Sequence, residues 1–173
     1  VLYLVQKRTE WDICADASAS VALVFAGIVL ITGMIWGHSA WNTWWRWEPR
    51  LISFLILWFL LFGMVVFRRL LDHTPQRASL AAVFGIVAAL NVPVVVFSIK
   101  LLERTEQLHP QVVGNQGLRA STFVYTLIFS IVALALFAVS LFFLKVANIV
   151  SRRELDLMNV ETPASAQLSR RAS

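Results

Sequence analysis

The residues able to do chemistry crowd into one short stretch, Trp36-Gly37-His38-Ser39-Ala40-Trp41-Asn42-Thr43-Trp44-Trp45-Arg46-Trp47-Glu48-Pro49-Arg50. It holds five of the seven tryptophans, interleaved with Arg46, Arg50 and Glu48. Tryptophan presents a rigid apolar face at small conformational cost, so this density offers stacking area to a large, flat, apolar ligand. In a helix Trp41, Trp44 and Trp45 share one face; in an extended chain Trp45 and Trp47 do. The guanidinium fork suits carboxylates on the edge of such a ligand, and a porphyrin with two propionates has that shape and charge. A plainer reading stands beside this one. Tryptophans anchor helices at a membrane interface without further function, and Arg46 and Arg50 then snorkel or pair with Glu48. Glu48 orients an arginine or caps the next helix rather than doing acid–base work, because no second carboxylate lies near it.

Three histidines complete the inventory. His109 can offer an imidazole nitrogen to haem iron, the commonest axial ligation, although a lone loop histidine is often just solvated. His38 sits inside the tryptophan stretch and is a weaker candidate or a supporting partner. His73 lies among arginines and is set aside. No HExxH, CxxC, CxxCH or Walker A pattern is present, so zinc hydrolysis, covalent haem attachment and ATP hydrolysis by this chain are not expected. Cys14 is the single cysteine and reads as an ordinary small residue.

The elements that must position these residues are membrane spans. The 173 residues are 58% hydrophobic and 14% charged, too little charge to cover a soluble domain. Residues 17–45, 51–67, 78–99 and 120–144 carry no Asp, Glu, Lys or Arg. Each reaches the ~17 residues that suffice, with ~20 typical, for a helix to cross a ~30 Å hydrocarbon core. The expected fold is an all-α, polytopic integral membrane bundle with four complete transmembrane helices. The first is placed at about residues 17–36, after a polar connection at 7–15, with Gly27 and Gly33 allowing close helix contacts. Pro49 fits the first turn of the second span, and Asn91-Val92-Pro93 predicts a kink or local unwinding in the third. Trp11 and Trp58 read as packing or anchor residues. Residues 1–5 run into Gln6-Lys7-Arg8 too soon for a span or a signal sequence, so they read as the end of an earlier helix in a longer chain. Residues 1–150 form the membrane domain, and the polar residues 151–173 are expected to be unstructured.

Charge orients the bundle. One set of helix ends and the tail carries ten basic residues, Arg68, Arg69, Arg77 and Arg153 among them; the other carries five, Arg46, Arg50, Lys100, Arg104 and Arg119. The tail is therefore expected to be cytoplasmic, with the tryptophan loop (36–50) and the His109 loop (100–119) together on the outer face. The lipid bilayer is the expected surrounding, and no nucleic-acid partner is expected.

The pattern Trp36-Gly37-x3-Trp41-x-Thr43-Trp44-Trp45-x-Trp47-Glu48-x-Arg50-Leu51-x-Ser53 resembles the tryptophan-rich "WWD" signature of haem-handling proteins in cytochrome c biogenesis. The Arg-Leu-x-Ser ending is similar to the cytochrome c maturation protein C (CcmC) family. Asn91-Val92-Pro93 through Phe97-Ser98, followed by Leu108-His109, resembles that family's second conserved patch. The resemblance covers about residues 1–150 and implies a six-span inner-membrane protein that binds haem b transiently on its outer face. It implies a haem carrier rather than an enzyme, passing haem to a membrane-anchored haem chaperone (CcmE). Further implied partners are an ATP-binding subunit, a second membrane subunit and a small helper of an ABC-type complex. Trp36, Trp41, Trp44, Trp45, Trp47, Arg46, Glu48, Arg50 and His109 are the implied haem contacts, with His109 on the iron. A second histidine of the family would lie ahead of residue 1. Departures are Glu48 for the signature's aspartate, Asn42 for its glycine and Pro49 for alanine. Two other readings remain open: a haem lyase that contacts apocytochrome directly, and a permease subunit with no haem role.

Overall fold

In the computed structural model, residues 2–71, 75–101 and 121–172 are described, and they form five helices with no strand among them. In chain order these are α1 (Leu2–Gln6), α2 (Thr9–Trp41), α3 (Pro49–Leu70), α4 (Pro75–Leu101) and α5 (Ser121–Ala172). Apart from α1, each contains a segment long and apolar enough to cross a membrane. Their large apolar side chains point outward, as at Ile31, Phe59, Phe129 and Phe137. Water would not tolerate that surface, whereas hydrocarbon does. The expected all-α polytopic bundle is what the chain forms.

Packing follows the small residues. α3 and α4 make the most extensive pair, α2 lies on α3, and α5 leans on α2 alone among the described helices. Ala19 of α2, Met64 and Val65 of α3 and Ala81 of α4 form the buried centre, so alanine is what lets the backbones approach. At Gly27 an added Cβ would stand 3.3 Å from Trp58 Nε1, so α2 comes close to α3 there. The close contact expected at Gly33 is absent, since nothing lies within 4 Å of its missing Cβ. Phe25 and Phe137 meet edge to face and join α2 to α5.

Four boundaries depart from the sequence expectation. α2 begins at Thr9 rather than near residue 17, because Glu10 and Asp12 in its first turn favour a helix N-terminus instead of breaking it. α2 also continues through Trp36 to Trp41, so the first part of the tryptophan stretch is helical and the loop proper starts at Asn42. α4 stays helical through Pro93. Beside it, Asn91 Nδ2 donates to the Ser53 carbonyl at 2.8 Å and fastens α4 to the first turns of α3. Finally, α5 crosses residue 150 without a break and its backbone remains helical to Ala172. Arg152 Nε donates to Asn148 Oδ1 at 2.8 Å and Arg153 pairs with Asp12 at 3.6 Å, contacts that hold the turns just past the apolar segment. Asn91→Leu is expected to loosen α3 from α4 by about 0.6–1.7 kcal/mol, the range of interhelical hydrogen bonds in membranes. Detergent-denaturant unfolding of the pure protein checks it.

The polar ends of the bundle separate cleanly. Asp12 of α2 accepts from Arg68 Nη1 of α3 at 2.7 Å, and Arg77 of α4 and Arg153 of α5 approach its other oxygen at 4.0 and 3.6 Å. The tryptophans gather at the opposite end of α2. At 1.5 Å per residue, Asp12 and Trp41 are roughly 44 Å apart, the full thickness of a bilayer with its headgroups.

Candidate functional site: a tryptophan cleft at one end of the bundle

The turn from α2 into α3 is built by two residues with special backbones. Asn42 ends α2 in the left-handed conformation, φ 53° and ψ 35°, and its N–H donates to the His38 carbonyl at 2.9 Å. Only glycine and, less readily, asparagine adopt this conformation cheaply, which suits Asn42 to this position. Asn42→Val should therefore cost ~1–2 kcal/mol and Asn42→Gly should leave stability nearly unchanged, as measured by thermal unfolding in detergent. Pro49 then starts α3 with its fixed φ, as expected. Between them Thr43 folds back over α2: its carbonyl oxygen would lie 3.3 Å from a Cβ on Gly37, and its hydroxyl donates to the Trp45 carbonyl at 3.3 Å.

This fold-back encloses a cleft of about 260 Å³. Trp36, Trp41, Trp44 and Trp45 line it together with Arg46, Glu48 and Arg50, so seven of the nine expected haem-contacting residues converge on one space. Trp47 does not line it: the ring is 75% exposed and packs edge to face on Trp45 at 5.7 Å. His109 lies outside the described residues, as do all of residues 102–120 and His73. His38 does not line the cleft either; its ring stacks on Trp44 at 4.2 Å and 24°. The tryptophans are not one flat shelf. Trp36 and Trp41 meet at 81° with centroids 4.6 Å apart, so each presents a different wall.

Sequence reasoning missed the floor. Leu30, Gly33, Met34, Gly37 and Trp41 of α2 follow one helical face into the cleft, joined by Leu51 and Phe54 of α3 and Val95 of α4. The signal was present as a 3.6-residue period, but it was cut by placing the loop boundary at residue 36.

The polar groups suit an anionic edge on an apolar ligand. Glu48 is buried, 5% exposed, and stands at the N-cap of α3 with Arg46 Nε 4.0 Å from its Oε1. Arg46 itself is 41% exposed, so the pair is loose and its guanidinium faces the rim. Trp45 Nε1 is buried without an acceptor among the described residues, an arrangement that costs stability unless another group or a ligand supplies one. The cleft is small beside the roughly 300–1,000 Å³ of small-molecule sites. A macrocycle seated here would bury one edge and leave another accessible. Apolar walls, an orphan indole N–H and guanidinium groups fit a porphyrin carrying carboxylates.

The family described as Heme exporter protein C matches residues 1–161 of the chain. Heme exporter protein C of Bradyrhizobium diazoefficiens is 31% identical over 154 residues, covering 88% of this chain and 58% of that protein. The Heme exporter protein C of Escherichia coli K12 is 31% identical over 97 residues, 56% of this chain and 40% of its own length. A Marchantia polymorpha protein, named a putative cytochrome c biosynthesis ccmC-like mitochondrial protein, is 28% identical over 144 residues, 83% of this chain and 60% of its own. The chain thus spans 40–60% of the length of these relatives.

Proposed function

Because the chain belongs to the Heme exporter protein C family, we propose that its tryptophan cleft holds haem b as transient cargo and presents it at one membrane face during cytochrome c biogenesis. The observation that carries this reading is the convergence of Trp36, Trp41, Trp44 and Trp45 on one cleft rimmed by Arg46 and Arg50, with the Trp45 indole N–H lacking an acceptor. The indole rings supply stacking and edge contacts to the macrocycle. Arg46 and Arg50 supply charge-assisted hydrogen bonds to a propionate. Glu48 keeps the Arg46 side chain near the rim. His109, in the residues that follow α4 in sequence, supplies the axial imidazole.

The cleft fits a carrier better than a resident-cofactor enzyme. A cargo that must be surrendered needs an accessible edge, and the small enclosed volume leaves one. The recipient in this reading is the haem chaperone CcmE, and the driving subunits are an ATP-binding partner, a second membrane subunit and a small helper. The membrane is a bacterial inner membrane with the cleft on the periplasmic side and the C-terminus cytoplasmic, in line with the excess of basic residues at the opposite helix ends.

Photo-crosslinking from position 47, whose ring is exposed beside the cleft, tests the hand-over in cells making the full-length protein. Adducts with the haem chaperone are expected. Adducts with apocytochrome and none with the chaperone would replace this reading with direct haem lyase chemistry.

A further inference from the structure

The end of the bundle away from the tryptophan cleft carries a basic cleft. A cleft of about 910 Å³ opens there between α2, the end of α3, the start of α4 and α5. Among the described residues it is lined by six cations, Arg68, Arg69, Arg77, Lys145, Arg152 and Arg153, against Asp16 and Asp156. The buried carboxylate beneath them, Asp12, faces three guanidinium groups within 4.0 Å. Among the described residues the six cations of the cleft face three carboxylates, Asp16, Asp156 and Asp12 beneath them, and incompletely compensated charge in a buried setting is unfavourable. Arg68 is 4% exposed at its side chain, and while its Nη1 holds Asp12, its Nε is buried without an acceptor among the described residues. The donor and the charge excess both call for an anion with several oxygens, for which the arginine fork is suited.

Depth selects the kind of anion. Arg68 and Arg77 stand where the apolar segments of α3 and α4 stop and start, and Lys145 is the first charge after the uncharged run of α5. The cleft therefore lies at the level of lipid headgroups, roughly a bilayer thickness from the tryptophans. Leu71, Leu144 and Ile149 give it an apolar wall beside the cations, as an acyl chain under a phosphate would need. We propose that this cleft binds the phosphate of an anionic glycerophospholipid, and that the bound lipid joins α5 to the α3–α4 pair, with which α5 makes no helix contact of its own among the described residues.

The test is native mass spectrometry of the full chain released from phosphatidylcholine nanodiscs with and without phosphatidylglycerol. Wild type should retain phosphatidylglycerol. The Arg69→Gln/Lys145→Gln double variant, which leaves the Asp12 cluster intact, should retain roughly 25-fold less, a factor of about five per cation. Its thermal transition in phosphatidylcholine alone is the folding control. Equal retention by the variant, or no retention by wild type, overturns the proposal. A parallel arm adds inorganic phosphate to wild type in phosphatidylcholine: stabilisation equal to that from phosphatidylglycerol would make the ligand a soluble phosphate and overturn the lipid assignment. Should the double variant fail to assemble, wild type decides by itself, since headgroup binding must weaken as ionic strength rises and salt-independent retention would contradict it.

Discussion

Asp12→Ala is expected to destabilise the bundle by roughly 3–5 kcal/mol, the range for removing one partner of a buried ion pair. Asp12 is 6% exposed and Arg68 likewise. Its loss would remove the carboxylate that Arg68, Arg77 and Arg153 share among the described residues, with Arg68 the most deeply buried of the three. The neighbouring substitutions should rank below it for stated reasons. Arg153→Ala removes a cation that is 31% exposed at 3.6 Å, and such a pair contributes no more than ~1 kcal/mol. Arg68→Met removes one end of the strongest contact but also two repulsions, so it should cost less than Asp12→Ala. Unfolding of the three variants by denaturing detergent gives the order directly. An Asp12→Ala loss no larger than that of Arg153→Ala would show that the cluster does not join the helices.

The second large effect is on haem. Trp41→Ala with Trp45→Ala should weaken haem retention roughly 30- to 150-fold, from about 1–1.5 kcal/mol per aromatic wall removed. Both rings line the cleft, and Trp45 also carries the unpartnered N–H. Trp47→Ala should change retention far less, because that ring is mostly exposed and outside the cleft. The contrast separates a binding cleft from an interfacial anchor: if the tryptophans only fasten the bundle to the headgroups, position 47 should matter as much as positions 41 and 45. Haem per protein after purification, by pyridine haemochrome absorbance, is the measurement.

What the sequence made legible was local chemistry. The four spans follow from uncharged runs of sufficient length, the start of α3 from Pro49, and the site from tryptophan density and two arginines. What stayed hidden depends on partners distant in sequence. Asp12 looked like part of a polar connection because its counter-charge, Arg68, lies 56 residues on. Val95 gave no local sign that α4 reaches the cleft, since that depends on how α4 meets α3. The end of α2 is not marked by residue type within the tryptophan stretch; Asn42, with its left-handed backbone, divides that stretch into helix and loop. The bond from the Thr43 hydroxyl to the Trp45 carbonyl likewise follows from that turn rather than from residue type.

Haem binding in the tryptophan cleft is the centre of this account, and the absorption spectrum of the full-length protein purified from its own membrane addresses it most directly. A Soret band is expected on wild type, displaced or lost in His109→Ala, and strongly reduced in the Trp41→Ala/Trp45→Ala variant while the protein remains assembled. Wild type without a Soret band, or a band unchanged when both tryptophans are removed, would contradict it.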